Sequence, residues 1–460
     1  MPLYKEECFL VVQPGSEFTI FSFGLQDSLA PPQYKIPSIV YQDPTTKQYK
    51  ATNDEPNLLE IRPIHLSKIV NLDAFNYLLK VILQSVISKN PIITINQIPL
   101  LLIKPSLTWS RSQIEYITKY VIESLEFTAF NVVDISLAST FGVGSTTSSV
   151  VVNVGKDYIQ VVPVLGYQAI KFSGKYLTGA GGSTINQELQ KLLPEFTESQ
   201  IEDLKVSGIY EVLNTHESSF YSLADLNKTG NDEEQFDVAK LVADGDIAKL
   251  EGEEEEEEEK KSNHELGTNF FIDSKTSEKV SVGKERFQGS TTLVKLISDA
   301  VYNSLSNIPD SEKRQECYDN LIFIGSTFKI PGLKEAILLK LSQDYLVKEP
   351  TNGRSKASDS NGVNSAILAY QQAEEMTDTE GSSNLAQVPN SVKLAKYPEY
   401  FPEWKKPKER GGSWEDVSFL GGEIYAKQIF SNNSNHGREL FVDSDVYEES
   451  GPQSIWNATI

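Results

Sequence analysis

The chain opens with short runs of β-branched and aromatic residues cut by polar turns. Phe9-Leu10-Val11-Val12-Gln13 leads through Pro14-Gly15-Ser16 into Phe18-Thr19-Ile20-Phe21, the pattern of a strand, a tight turn and a second strand. Strands are predicted through 8–40. Over 72–88 the spacing changes, and Phe75, Leu78, Leu79, Ile82 and Val86 share one face of a helix. Pro99-Leu100-Leu101-Leu102-Ile103 reads as a buried strand. A second helix spans 112–125, with Ile114, Ile117, Val121 and Ile122 on one face and Ser110 or Ser112 as its cap. Strands return over 148–164, where Val150-Val151-Val152-Asn153, a turn at Gly155-Lys156-Asp157 and Tyr158-Ile159-Gln160-Val161-Val162 form another hairpin. A helix over 183–193 follows Gly181-Gly182.

The pattern then fades from His216 to about Thr268 and resumes with the strand Lys279-Val280-Ser281-Val282. A helix is predicted over 292–305. The strand Leu321-Ile322-Phe323-Ile324 is closed by Gly325-Ser326-Thr327, and Pro331-Gly332-Leu333 opens another helix. A second polar stretch, 350–388, reads as a loop insertion. Strands and a helix around Phe419-Leu420-Gly421-Gly422 fill the last seventy residues. Strands alternating with amphipathic helices give an α/β class with mixed sheets. The two strand-rich starts, near residues 8 and 148, point to a duplicated core.

Charge changes this picture in one place. The net charge of the 460 residues is −22. Between 231 and 266 there are 15 acidic residues against 4 Lys, including seven consecutive Glu at 253–259. That composition cannot bury enough apolar surface to fold alone, so it reads as a loosely held insertion. A general duplex-DNA surface is excluded, because phosphate contact needs a basic stripe; basic partners such as histone tails stay open. Cys8 and Cys317 lie far apart in apolar settings and read as buried thiols of a reducing compartment. Four scattered His give no zinc pattern. No apolar run reaches membrane-spanning length and no cationic–apolar signal opens the chain. Lys405-Lys406-Pro407-Lys408-Glu409-Arg410 has the composition of a nuclear address and equally of a solvated loop.

The two hairpins carry the candidate chemistry. Gly at such a turn lets a backbone approach a phosphate, and a Ser hydroxyl can donate to one. Magnesium needs hard oxygen ligands and nearby carboxylates. Gln13 and Asn153 offer neutral amides instead, and Pro14 removes a backbone N–H.

These pieces stand in the order found in actin and actin-related proteins. Pro63-Ile64 with Ile69-Val70-Asn71-Leu72-Asp73 resembles the family's "P-I-x-x-G-x-V-x-x-W-D" helix entry, and Gly283-Lys284-Glu285-Arg286-Phe287 is similar to its "G-x-E-R-F". Gly325-Ser326-Thr327 with Pro331-Gly332 looks like its third Gly-rich turn. Phe419-Leu420-Gly421-Gly422-Glu423-Ile424 and Tyr447-Glu448-Glu449-Ser450-Gly451-Pro452 resemble "W-I-G-G-S-I" and "Y-x-E-S-G-P". The segment 393–406 is unlike ordinary actin and resembles fungal actin-related subunits of SWI/SNF-type and RSC chromatin remodellers.

The resemblance implies an actin-like, duplicated ribonuclease-H-like fold of two lobes and four subdomains with two polar insertions. Subdomain 1 would hold 1–30, 70–140 and 389–460, and subdomain 2 would hold 31–69. Subdomain 3 would hold 141–180 and 285–349. Subdomain 4 would hold 181–284 with the acidic insertion at about 216–268. The aspartate positions of the family fall on Gln13 and Asn153, and Lys156 stands at the family's other acidic turn position. No Gln lies in 131–142, where the family places its water-orienting one, and Glu17 stands close to where a Lys would meet the phosphates. Losing one such group costs a factor of hundreds or more. The expectation is therefore no catalytic residue, no metal and no cofactor, with a vestigial nucleotide cleft at Gln13, Gly15, Ser16, Asn153, Gly155, Lys156, Gly182, Lys284, Arg286 and Gly325.

The resemblance also implies a nuclear scaffold that pairs with a second actin-related protein and binds a long helix of the remodeller ATPase. Its groove would be lined by Phe141, Gly166, Tyr167, Tyr425, Ile429 and Phe430. The crowded Tyr397–Trp404 stretch reads as a further contact surface or as a packed loop. Two alternatives stand beside the scaffold: a nucleotide-binding actin-like ATPase with unusual ligands, and a histone chaperone acting through the acidic insertion.

Overall fold

The structure, a computed structural model, describes residues 4–25, 29–55, 57–91, 97–213, 262–346, 389–405, 413–431 and 440–458. Most of the acidic insertion, the 350–388 loop and the end of the basic cluster lie outside the described residues.

Two mixed sheets share one plan. In the first, Leu10–Gln13 forms an antiparallel hairpin with Phe18–Phe23, and Tyr34–Pro37 adds to its outer edge. On its other side Leu10–Gln13 runs parallel to Pro99–Lys104, which runs parallel to Ala129–Asp134. Val442–Asp443 closes that edge antiparallel. In the second sheet, Ser149–Val154 pairs antiparallel with Tyr158–Leu165 and parallel with Leu321–Ile324. Leu394 extends it by a lone parallel bridge to Leu321. The duplicated core expected from the two strand-rich starts is present as a hairpin followed by parallel strands, twice.

The continuous apolar runs follow from this plan. Pro99–Lys104, Ala129–Asp134 and Ser149–Val154 are buried at every position, because the parallel centre of a sheet is covered on both faces. Helices Leu72–Lys89 and Arg111–Lys119 lay their stripes on the first sheet, burying Phe75, Leu78, Leu79, Ile82 and Ile117. Ser110 caps the second of these through a capping box with Gln113. Helix Thr291–Leu305 buries Leu293, Ile297 and Val301 against the second sheet. Both thiols are buried, as read from their setting.

A third cluster joins the sheets. Val11, Leu101 and Ile103 from one side meet Val151, Val164, Ile322 and Ile324 from the other, around helices Ile135–Val143 and Val417–Ser431. The first of these helices was not predicted. Eight of its nine residues are buried, so it has no polar face to set a period. The two helices touch backbone to backbone. A Cβ on Gly142 would lie 2.3 Å from the Val417 carbonyl oxygen, and one on Gly421 would lie 1.6 Å from that of Ala138. Glu423 is buried on the same helix with Oε2 lacking a hydrogen-bond partner, and burial pushes its carboxyl well above the usual range.

Two outcomes follow. Gly421→Val forces the helices apart and should cost about 3 kcal/mol in chemical denaturation. Gly208→Ala, at a glycine with open space around it, should stay within about 0.5 kcal/mol. A raised folded-state pKa means that Glu423 stabilises most below about pH 4.5 and that stability is lost as pH rises through the folded value. Urea midpoints taken from pH 5 to 8 should fall with pH in the parent chain and fall less in Glu423→Met.

Candidate functional site

The C-terminal ends of Leu10–Gln13 and Ser149–Val154 bring the two hairpin turns to the space between the sheets. In the first turn a Cβ on Gly15 would sit 2.6 Å from the Phe18 carbonyl oxygen, so the turn needs glycine. The Ser418 hydroxyl donates to Gln13 Oε1 at 2.9 Å, tying the hairpin to Val417–Ser431, the seam helix between the sheets. Ser16 Oγ accepts the Ser67 N–H at 3.0 Å. Glu17 is paired with Arg62 at 3.1 Å on the surface.

In the second hairpin Asn153 lies opposite Gln160. Gly155 O accepts the Gly182 N–H at 3.0 Å, and Lys156 O accepts the Ser183 N–H at 2.8 Å. The first turn of helix Gly182–Leu192 thereby places its unpaired donors on the hairpin's own carbonyls. Gly325 has φ of +104°, and its missing Cβ would lie 2.3 Å from the Val154 carbonyl oxygen. The structure thus gathers Asn153, Gly155, Lys156, Gly182 and Gly325 around one turn, with Lys156 exposed.

Arg286 is used differently. Its guanidinium is fully buried and donates to the carbonyls of Asn263, Leu266 and Gly283 and to Asn263 Oδ1, at 2.6–3.0 Å. It is spent on backbone oxygens of the 263–266 loop and of Gly283, which need donors once removed from water. Neighbouring Lys284 is exposed.

Three features escaped the sequence reading. Ser67, 3% exposed, occupies the Leu66–Ser67 turn, whose φ values are +49° and +63°. Gln160 Nε2 donates to Ser67 Oγ at 3.1 Å, and the Tyr176 hydroxyl donates to Leu66 O at 2.6 Å. Ser67 O accepts from Thr108 Oγ1 at 2.6 Å and from Trp109 Nε1 at 3.2 Å. The Tyr158 hydroxyl lies beside Ser67 and Asn153, and burial raises its pKa. The third feature is Asp134, buried at the end of its strand between Lys104 and Lys171, the latter at 3.0 Å. Burial pulls the Lys104 ammonium pKa down against the pull of Asp134. Among the described residues no three His, Cys, Asp or Glu side chains converge as a metal-binding group.

The expected groove is only partly assembled as a surface. Phe141 packs on Tyr167 at 5.1 Å and on Tyr425 at 5.7 Å between ring centroids. Gly166 and Tyr167, both at positive φ, form the turn after Tyr158–Leu165. Tyr425, Ile429 and Phe430, however, are only 2%, 1% and 0% exposed. They point inward from the seam helix, where Phe430 meets Phe9 at 5.4 Å and Phe441 at 5.8 Å. The half-buried Phe141 and Tyr167 are what a partner would reach. In the 397–404 stretch Trp404 is fully buried and Tyr397 stacks on Trp414 at 4.7 Å, while Tyr400 is 68% exposed. It is mostly packed, with one outward aromatic.

The sequence profile of the family described as Actin matches residues 5–390. A curated relative, the SWI/SNF and RSC complexes subunit arp9 of Schizosaccharomyces pombe, is 23% identical over 99% of this chain and 99% of its own.

Asp134→Asn leaves Lys104 buried without its counter-charge and should destabilise the fold by roughly 3 kcal/mol. Lys104→Met combined with Asp134→Leu should recover most of that loss in the same urea titration. A double variant no better than the single one would count against the buried pair.

Proposed function

The chain belongs to the actin family, and we propose that within it this protein serves as a non-catalytic scaffold subunit of a chromatin-remodelling complex. The observation that carries the reading is the fate of the two amide positions. Gln13 spends its carbonyl oxygen on Ser418 of the seam helix. Asn153 faces Gln160 and the Tyr158 hydroxyl inside the hairpin. Groups that would hold a magnesium triphosphate in this fold serve here as internal fasteners. Neutral amides are poor substitutes for the carboxylates that orient magnesium-bound water.

The similarity to a subunit of SWI/SNF and RSC complexes supports nuclear residence and assembly with other subunits. We extend the reading to two partners: a second actin-related protein, and a long amphipathic helix of the remodeller ATPase. The helix would rest on Phe141, Gly166 and Tyr167, which offer aromatic area at low entropic cost. The mechanism is positional. A clamp whose lobes are fixed by its own side chains presents one surface to a helix without waiting for a nucleotide.

Two measurements test this. Purified from its native source, the chain should bring a remodeller ATPase with it, and removing that ATPase's long helix should release it. Retention without the helix would oppose the proposal. Millimolar ATP with magnesium should leave the melting temperature of the isolated chain unchanged. A ligand bound a hundred times above its Kd stabilises by about 2.7 kcal/mol, so a clear metal-dependent rise would favour the ATPase reading.

A further inference from the structure

We propose that the Leu66–Ser67 turn is a ligand-free latch that holds the two lobes together across the cleft. The turn belongs to the first lobe. Its flanking strands, Ile64–His65 and Lys68–Ile69, pair with each other, and Ile64 and Ile69 are buried in that lobe's core. Thr108 and Trp109 of the same lobe grip its carbonyl from behind. Gln113 Nε2 holds Ile69 O at 3.1 Å. The turn is therefore fixed at its base and projects toward the second lobe.

There it makes two direct bonds. Gln160 Nε2 reaches Ser67 Oγ, and Gln160 is only 1% exposed. The Tyr176 hydroxyl reaches Leu66 O, and Lys68 Nζ lies 5.1 Å from the centroid of the Tyr176 ring. Gln160 and Tyr176 are register partners on adjacent strands of the second sheet, so the latch receives both bonds from one rigid edge. Ser67 N–H meanwhile donates to Ser16 in the first hairpin turn. One residue thus connects both hairpins: Ser16 on one side, and on the other Gln160, which lies opposite Asn153.

The turn is held in a demanding backbone. Leu66 and Ser67 both have positive φ, a conformation that Gly or Asn occupies most readily. Bulky residues persist there when the surroundings over-determine the shape, and five hydrogen bonds to two residues do that. The Gln160 bond is buried, and a buried hydrogen bond is costly to leave unmade. Opening the lobes at this turn breaks both bonds.

This goes beyond the scaffold reading, and its test needs no partner. Hydrogen exchange is followed on the full chain and on Tyr176→Phe, Ser67→Gly and the double variant. Gly tolerates the positive φ and can keep the backbone bonds at 67 while removing the hydroxymethyl group that Gln160 reaches. The latch predicts roughly tenfold faster exchange over 64–69, 158–165 and 175–178 for each bond removed, and a larger effect in the double variant. The strand Ala129–Asp134 should keep its rate. Tyr176→Phe alone deletes one hydroxyl and keeps the test decisive if the double variant folds poorly. Unchanged rates in the three segments would overturn the proposal, and so would an equal acceleration in Ala129–Asp134.

Discussion

The molecule depends on the close crossing of two helices at glycine. Ile135–Val143 and Val417–Ser431 approach so tightly that neither Gly142 nor Gly421 has room for a Cβ. Gly422 on the next position lets Ile103 of the first sheet reach the same helix. Because the backbones meet there, side chains of both sheets close around them as one cluster. Two separate sheets become one body, and the hairpin turns acquire a fixed separation. Ser418, one turn before the crossing, is carried to Gln13 by the same geometry.

Polar groups complete what the seam begins. Between the lobes, Asp134 bridges a lysine of its own sheet to Lys171, in the turn that follows Gln168–Ala169 of the second sheet. The Leu66–Ser67 turn joins Ser16 to Gln160. Lys334 reaches Glu415 beside the Tyr397–Trp414 stack. Buried ion pairs contribute little net stability, because desolvation offsets attraction. Their effect is on geometry, since a wrong lobe orientation strands a charge or a hydroxyl without a partner. Neutral Gln13 and Asn153 fit this economy of charge. A buried carboxylate at Asn153 would carry a desolvation cost that the amide avoids.

Much of the fold was legible in the sequence where pattern and burial share one period. The stripe at Phe75, Leu78, Leu79, Ile82 and Val86 and the pairing of Ser110 with Gln113 specify their helices locally. Val150 to Val154 is apolar because both faces of its sheet are covered. Ile135–Val143 was illegible for the opposite reason, being buried nearly all round, with Ser136, Ser139 and Thr140 inside as well as its apolar residues. The Leu66–Ser67 turn carries no Gly, Asn or Asp to announce it, and tertiary bonds impose its shape. Of the candidate site, the hairpin positions Asn153, Gly155, Gly182 and Gly325 lie around one turn. Tyr425, Ile429 and Phe430 do not form an open groove, because a buried aromatic and a groove aromatic look alike in one sequence. Asp134 with its two lysines spans distant segments and leaves no local signature.

On the proposed reading this chain closes its own cleft, with side chains holding the lobes where a metal–nucleotide complex would otherwise do so. Small-angle scattering of the purified chain, recorded with and without ATP and magnesium, addresses it most directly. Superimposable profiles and one radius of gyration are expected. A compaction that appears only with the metal-bound nucleotide and reverses on its removal would contradict it.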